Sequence, residues 1–222
     1  MIYKIVKRIF DIICAFLGII GTFPIWVIAI ILTELTDPGP LFYFAKRIGK
    51  DNKEFCMWKF RSMRVDRGAS EASLRPDQER IFWWGKVMRR LKIDELPQLI
   101  NILNGTMSIV GPRPAAQDQV DVTRAGENAC VAKLPCGLTS PSSLYDYIYG
   151  DLFEDEIQYN KKVLPTRLKL DVWYVKKIEN SNSFAAWWYD IKLIWWTVLA
   201  IFSIAFGKYP QRLYDYLVGL VK

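Results

Sequence analysis

The sequence predicts an α/β protein that is mainly helical, contains a small β-hairpin and enters a membrane from one side, as a monotopic protein. Three observations support this fold class: an uncharged apolar run near the N terminus, two aromatic segments around a turn-forming stretch, and apolar residues at helical spacing further on. The predicted organisation is a re-entrant membrane helix at 1–35, a cytoplasmic domain at 36–183 and aromatic, amphipathic interfacial helices at 184–222.

The first element is the apolar run at 12–33, which contains 22 residues and no charge. As a helix it would extend about 33 Å, enough to cross the hydrocarbon core of a bilayer. Pro24 lies at its centre and lacks a backbone N–H, so we expect a helix break there. Three basic residues precede the run and three soon follow it, so charge favours neither orientation. We therefore favour a re-entrant helix-break-helix, with a single span as the alternative.

A β-hairpin is predicted next. Residues 41–45 and Glu54–Phe60 are rich in aromatic side chains, and the turn-forming sequence Gly-Lys-Asp-Asn lies between them at 49–52. The polar residues at 66–75 are expected to form a mobile loop.

Two helices should follow that loop. Pro76 is expected to open the first, whose apolar face runs from Ile81 to Leu91. The second covers 96–103, with Asp94 as its N-cap and Gly105 as its stop.

A second apolar run occupies 193–206 and follows two tandem tryptophans. Its 14 residues are too few for a span, so only the N-terminal run reaches spanning length. We expect a helix in the headgroup region, and a core helix of the soluble domain is the alternative.

The composition restricts the possible chemistry. The chain has no histidine, which excludes the usual neutral-pH general base, Ser-His and Cys-His nucleophile pairs and nearly every catalytic zinc site. An enzyme with this sequence would rely on a carboxylate, Lys, Tyr or Cys. The four cysteines form no C-x-x-C pair and are expected to be free thiols in a reducing compartment.

Positive charge is concentrated in one segment. The chain has 30 Lys and Arg against 23 Asp and Glu, a formal net charge of +7, and residues 46–92 alone carry an excess of eight positive charges. Such a segment suits phosphate-bearing molecules, nucleic acid or an anionic lipid surface, and the alternative is a solvated basic face.

Asp94 and Glu95 are the strongest candidates for chemistry. Adjacent carboxylates at a helix start are a hard oxygen site for Mg²⁺, and an ionised carboxylate can be a nucleophile toward phosphorus. Ordinary helix capping is the alternative.

Basic residues around Asp94 and Glu95, the acidic dyad, could together bind one anion. Lys59, Arg61, Arg89 and Arg90 are candidates, and Arg113 lies between two prolines that restrict its backbone and would aim its guanidinium at a diphosphate. The alternatives are that Lys59 lies on the solvent-exposed face of the hairpin and that Arg113 is an ordinary residue of a surface turn.

Several motifs then resemble one family. KRIFDI, DPGPLFY with KRIG, KFRSMR, the block RRLKIDELPQLINILNGTMSIVGPRP and GLT at 137–139 are similar to the bacterial monotopic phosphoglycosyl transferases, also called polyprenyl-phosphate sugar-1-phosphate transferases. The resemblance covers about residues 4–140 strongly and 165–200 loosely.

The resemblance implies an enzyme of the bacterial inner membrane with its catalytic domain, 36–183, on the cytoplasmic face. It would transfer a sugar 1-phosphate from a nucleotide diphosphate sugar, usually a uridine one, to undecaprenyl phosphate. Asp94 would form a covalent phosphosugar intermediate, and Glu95 would help to place Mg²⁺. Lys59, Arg89 and Arg113 would bind phosphates or the nucleotide. The pathway would build a capsule, O-antigen, exopolysaccharide or other glycoconjugate.

The sequence departs from the family in two places. Phe23 precedes Pro24 where the family often has Ser, and after GLT the chain reads SPSSLYDY where many members have Gly, Gln and Arg. We expect the second difference to affect substrate choice. Homo-oligomerisation is possible and no nucleic-acid partner is expected. The competing hypothesis is a non-enzymatic membrane-anchored module that binds anions or nucleic acid, which gives Asp94 and Glu95 no role.

Overall fold

A computed structural model describes residues 2–65, 78–153 and 155–222. Its α-helices are α1 Ile2–Thr36, α2 Trp83–Arg90, α3 Gln98–Asn104, α4 Val120–Thr123, α5 Pro141–Ile148, α6 Glu156–Lys162, α7 Leu164–Glu179, α8 Ser183–Ala205 and α9 Gln211–Gly219. Its strands are β1 Phe42–Ile48, β2 Glu54–Phe60, β3 Met107–Val110, β4 Ala115–Ala116 and β5 Cys136–Thr139. The prediction of a mainly helical chain with a small hairpin is confirmed.

The hairpin is antiparallel, with Phe42 opposite Phe60 and Ile48 opposite Glu54. Its turn contains the predicted residues, and Asp51 and Asn52 there adopt positive φ angles of 54°. β4 extends this sheet along the other edge of β1, which the sequence did not indicate.

A second sheet was not predicted at all. β3 pairs in parallel with β5, so the SIVG and GLT motifs lie side by side. A Cβ on Gly137 would lie 2.1 Å from the backbone nitrogen of Gly111. Both glycines are therefore needed where the chain directly after β3 passes close to the start of β5.

α1 is a single helix of 35 residues with Pro24 inside it, so the predicted break at Pro24 is wrong as an interruption of secondary structure. Proline removes one intrahelical hydrogen bond. Packing stabilises the part of α1 that follows Pro24. Trp26 contacts Phe60 edge to face, and Ala29 is fully buried in a cluster with Phe60 and Trp84.

One side of α1 contacts the globular domain along the whole helix. Lys7 pairs with Asp190 of α8, and Leu99 of α3 reaches Gly18 in the middle. The other side exposes large apolar residues. Those more than half exposed are Ile5, Ile9, Ile13, Phe16, Leu17, Ile20, Phe23, Ile28, Ile31 and Leu35.

α8 is longer than the sequence indicated. It has 23 residues because it begins ten residues before the uncharged run, and it includes Asp190 and Lys192. By length and composition, α1 and α8 are both long and apolar enough to cross a membrane. The expectation that only one run reaches spanning length is therefore wrong.

The two predicted helices begin later than expected. α2 starts at Trp83, because Ile81 pairs with Met63 in a β-bridge and Phe82 has an extended backbone. The predicted loop at 66–75 and the helix start at Pro76 lie outside the described residues. α3 starts at Gln98 and ends before Gly105, which adopts the predicted left-handed conformation with φ 88°.

All four cysteines are free thiols, as expected.

Candidate active site

Asp94 and Glu95 lie in a 3-10 turn, Ile93–Glu95, between α2 and α3. Asp94 is not the N-cap of α3, so that prediction is wrong. The two backbone donors that an N-cap at 94 would need are those of Leu96 and Pro97. Pro97 has no N–H, and the N–H of Leu96 bonds to the Ile93 carbonyl. The Asp94 carboxylate is therefore left available for another partner.

Lys59 approaches both carboxylates from β2. Its Nζ lies 3.1 Å from Glu95 Oε1 and 4.0 Å from Asp94 Oδ2. Buried Asn101 of α3 holds the backbone of β2 next to Lys59, because its side-chain amide accepts from the Trp58 N–H at 2.9 Å and donates to the Cys56 carbonyl at 2.7 Å. These two hydrogen bonds of the Asn101 side chain align β2 with the segment that carries Asp94 and Glu95.

The two carboxylates have opposite pKa shifts. Burial, reinforced by the charge of Glu95, raises the pKa of Asp94 above its ordinary value, although Lys59 opposes the shift. Burial acts on Glu95 in the same direction, but Lys59, Lys92 and Arg113 outweigh it and lower its pKa to about 2. Glu95 is thus the stronger acid of the pair and Asp94 the more basic carboxylate.

Asp94 Oδ1 is buried and has no hydrogen-bond partner among the described residues. Burying a carboxylate oxygen without a hydrogen-bond donor lowers the stability of the folded protein. This atom is therefore suited to a bound cation or to an electrophile.

Arg113 faces the dyad from the loop after β3. Its backbone N–H donates to Asp171 at 3.3 Å, and its guanidinium lies 3.4 Å from Asp146 of α5. Asp146 also accepts a 2.6 Å hydrogen bond from Tyr159, whose oxygen accepts from Arg167 at 2.6 Å. Burial alone would raise the pKa of Asp146, but Arg113 and Arg167 hold it below its ordinary value.

No sequence motif assigns a role in the site to Asp146, Tyr159 or Arg167. Asp146 lies in the SPSSLYDY stretch where the chain departs from the family, and Tyr159 and Arg167 lie in a region of weak periodicity. The departure from the family is visible in the sequence, but only the tertiary structure places Asp146 against Arg113.

The remaining candidate cations separate into two groups. Arg89 Nη1 lies 3.4 Å from Ser62 Oγ at the cleft, and Arg90 donates to the Ile204 carbonyl of α8 at 3.1 Å. Arg61 is instead buried and binds Asp37 and the Pro40 carbonyl, so it does not join the other cations.

A cleft of about 560 Å³ brings together the predicted site residues Lys59, Arg89, Asp94, Glu95 and Arg113. Pro24 does not line it. The cleft also contains residues that sequence analysis did not assign. These are Lys86, Lys92, Asp146, Tyr147, Asp151, Lys208 and Tyr209, among others. A smaller cleft of about 120 Å³ shares Lys59, Glu95 and Arg113 with it.

The dyad fits Mg²⁺. Among the described residues no group of three or more His, Cys, Asp or Glu is arranged to hold a metal. Mg²⁺, however, usually binds one or two protein carboxylates and completes its shell with substrate phosphates and water. The unpartnered Asp94 Oδ1 and the ionised Glu95 are a donor set of that kind.

Known proteins resemble this chain along most of its length. A family profile described as bacterial sugar transferase matches residues 2–204. An uncharacterized sugar transferase, EpsL, of Bacillus subtilis is 34% identical over 194 residues, which cover 87% of this chain and 86% of that protein.

Two relatives have more specific names. The UDP-N-acetylgalactosamine-undecaprenyl-phosphate N-acetylgalactosaminephosphotransferase of Aeromonas hydrophila is 40% identical over 54% of this chain and 29% of its own length. The UDP-glucose:undecaprenyl-phosphate glucose-1-phosphate transferase of Xanthomonas campestris is 40% identical over 51% of this chain and 24% of its own length. The matches thus span about a quarter of these two proteins. The extent of the family match and the shared length with EpsL establish that the chain belongs to the bacterial sugar transferase family.

Proposed function

We propose that the protein transfers a sugar 1-phosphate from a nucleotide diphosphate sugar, expected to be a uridine one, to undecaprenyl phosphate. The observation that carries this proposal is the buried Asp94 carboxylate, with one oxygen unpartnered, in a cleft lined by Lys59, Arg89 and Arg113. The names of the relatives support both substrates, since two of them are named for a UDP-sugar and undecaprenyl phosphate.

The reaction has two displacements at one phosphorus. An oxygen of ionised Asp94 forms a bond to the phosphorus that bears the sugar, and the bond to the bridging oxygen breaks. The nucleoside monophosphate leaves with that electron pair. An oxygen of undecaprenyl phosphate then bonds to the same phosphorus, and the bond to Asp94 breaks. This step restores the carboxylate and yields a polyprenyl diphosphate sugar.

The surrounding residues would lower the barrier electrostatically. Lys59, Arg89 and Arg113 would bind the phosphate oxygens on which negative charge accumulates. Asp146 would hold the Arg113 guanidinium in place through their 3.4 Å contact. Asp94 and Glu95 would hold Mg²⁺, which when bound neutralises charge on the transferred phosphate.

We also propose a monotopic arrangement in the bacterial inner membrane, with both ends of α1 on the cytoplasmic face. α1 contacts the same globular domain near its start, through Lys7 and Asp190, and just after its end, where Arg61 binds Asp37. A helix crossing the bilayer would carry one of these charged contacts to the opposite side. The apolar outer side of α1 and the exposed aromatic residues of α8 would then contact lipid.

The test uses Asp94→Asn in the full-length protein. Incubation with a labelled uridine diphosphate sugar and Mg²⁺, without acceptor, should release one nucleoside monophosphate per enzyme and label the protein. The variant should lose both signals by at least about a thousandfold, because the nucleophile is absent. Asp118→Asn, on an exposed aspartate outside the cleft, is the matched control and should retain both.

Full activity of Asp94→Asn would refute the assigned nucleophile. Absence of turnover by the wild-type protein with a panel of nucleotide sugars would instead favour a binding module.

A further inference from the structure

The C-terminal segment after α8 adds a cation and an aromatic ring to the reaction cleft. Gly207, Lys208 and Tyr209 line the cleft together with Asp94. The family match ends at residue 204, so these three residues lie beyond it. Resting on the function proposed above, we propose that Lys208 and Arg90 bind the phosphate group of the lipid acceptor where the cleft opens beside α8.

The backbone at Lys208 is fixed by a helix-ending hydrogen-bond pattern. The Gly207 N–H donates to the Ile204 carbonyl at 3.0 Å and the Lys208 N–H to the Ser203 carbonyl at 2.7 Å. This pair of bonds is the Schellman motif, in which glycine supplies the left-handed residue, and Gly207 has φ 71°. Lys208 therefore leaves the helix end at a defined position and not on a free tail.

The same helix end is tied to the active-site side of the molecule. The Ile204 carbonyl also accepts from Arg90 Nη2 at 3.1 Å, and Arg90 directly follows Arg89 at the end of α2. Beyond the turn, α9 is anchored because Leu217 is fully buried and Tyr216 packs against Trp196 with ring centroids 4.4 Å apart. Both flanks of the Lys208 turn are thus held.

The charges at this end of the cleft favour a phosphate. In the described parts of the chain, neither Lys208 nor Arg90 forms an ion pair with a carboxylate, and Lys86 is a third such cation lining the same cleft. Cations without a carboxylate partner around one concave surface create a positive potential that attracts an anion. A phosphate group can accept hydrogen bonds from both a lysine and an arginine.

The position of this site favours the lipid acceptor over the soluble donor. Two large aromatic residues close in sequence to Lys208, Phe202 in α8 and Phe206 directly after it, are 58% and 77% exposed. By length and composition, α8 is long and apolar enough to cross a membrane. A polyprenyl chain held in lipid along this end of α8 would bring its phosphate to Lys208 and Arg90.

The experiment compares Lys208→Gln with Arg212→Gln, which removes the same charge from an exposed residue of α9 outside the cleft. Lys208→Gln should raise the KM for undecaprenyl phosphate about tenfold, the value of one charge-assisted hydrogen bond. Nucleoside monophosphate release from the donor alone should be unchanged. Lys208→Arg should restore the acceptor KM, and Arg212→Gln should match the wild type.

A binding measurement separates this proposal from the proposed reaction. Native mass spectrometry in phosphatidylcholine nanodiscs, with and without undecaprenyl phosphate, should detect the lipid on the wild type and about tenfold weaker binding by Lys208→Gln. This readout decides the lipid site even if no donor is turned over. A higher KM for the donor with an unchanged acceptor KM would assign Lys208 to the donor phosphates and overturn the proposal. Equal lipid binding by both proteins would also overturn it.

Discussion

Arg8 links the membrane helix to the catalytic segment, and its replacement by Met tests that link. The guanidinium reaches the end of α3, where Nη1 donates to the Ile102 carbonyl at 2.5 Å and Nη2 to the Leu103 carbonyl at 2.8 Å. These carbonyls belong to the last turn of the helix, which lacks the usual N–H donors four residues further on. The Ile102 carbonyl also accepts from the capping Gly105 N–H at 3.2 Å. α3 has only seven residues and directly follows the turn that carries Asp94.

The expected loss of stability follows from these two contacts. A hydrogen bond from a charged donor contributes about 1.5–3 kcal/mol, and a cation at a helix C terminus about 0.3–1 kcal/mol. Because the site is only partly buried, we take the lower values, which give about 3 kcal/mol for the variant. Met keeps much of the aliphatic packing of Arg, so the change reports mainly on the polar contacts.

Thermal unfolding in detergent micelles, followed by the fluorescence of the nine tryptophans, measures this effect. For a chain of this length, about 3 kcal/mol corresponds to a decrease in Tm of about 6–12 °C. Lys4→Met removes a charge from an exposed residue of the same helix and should leave Tm within about 1 °C of the wild type. Equal Tm values for Arg8→Met and Lys4→Met would show that the guanidinium adds no net stability, and the reasoning would fail.

Two further predictions concern the site and its support. Because burial raises the pKa of Asp94 and only its ionised form attacks, single-turnover release of nucleoside monophosphate should decrease as the pH falls through that raised pKa. Lys59→Gln should move this decrease to higher pH, since Lys59 favours the carboxylate; an unmoved pH profile would contradict it. Gly85→Ala should lower the free energy of unfolding by at least about 1–3 kcal/mol, because its Cβ would lie 2.0 Å from the Ser62 carbonyl oxygen. Gly21→Ala has no atom within 4 Å of the new Cβ and should raise the free energy of unfolding by about 0.5–1 kcal/mol. Both variants are measured by denaturant unfolding, and equal unfolding midpoints for the two would refute the packing argument.

The features that could be predicted from the sequence are those specified by neighbouring residues. The hairpin follows from aromatic strands on both sides of a Gly-Lys-Asp-Asn turn, and the end of α3 follows from Gly105. The gathering of Lys59, Asp94 and Arg113 was expected from the charge pattern and from the family motifs, and one cleft contains all three.

The features that were missed depend on contacts between distant segments. β3 and β5 are four residues each and pair with a partner 29 positions away, which no local periodicity records. Asp146 acquires its role only when α5 packs near Arg113. The position of Asp94 has a local cause, because Pro97 has no N–H to donate to a cap at residue 94.

The contact between Lys7 and Asp190 sets an order of events during synthesis. The two residues are 183 positions apart, so at about 5–20 residues per second the ribosome makes Asp190 roughly 10–40 s after Lys7. Through that interval the apolar outer side of α1 is present while its docking partner on α8 does not exist. We therefore expect α1 to be captured by the bilayer or by the insertion machinery before the domain folds. Folding would then be completed at the membrane surface, with α8 as the last major element to dock.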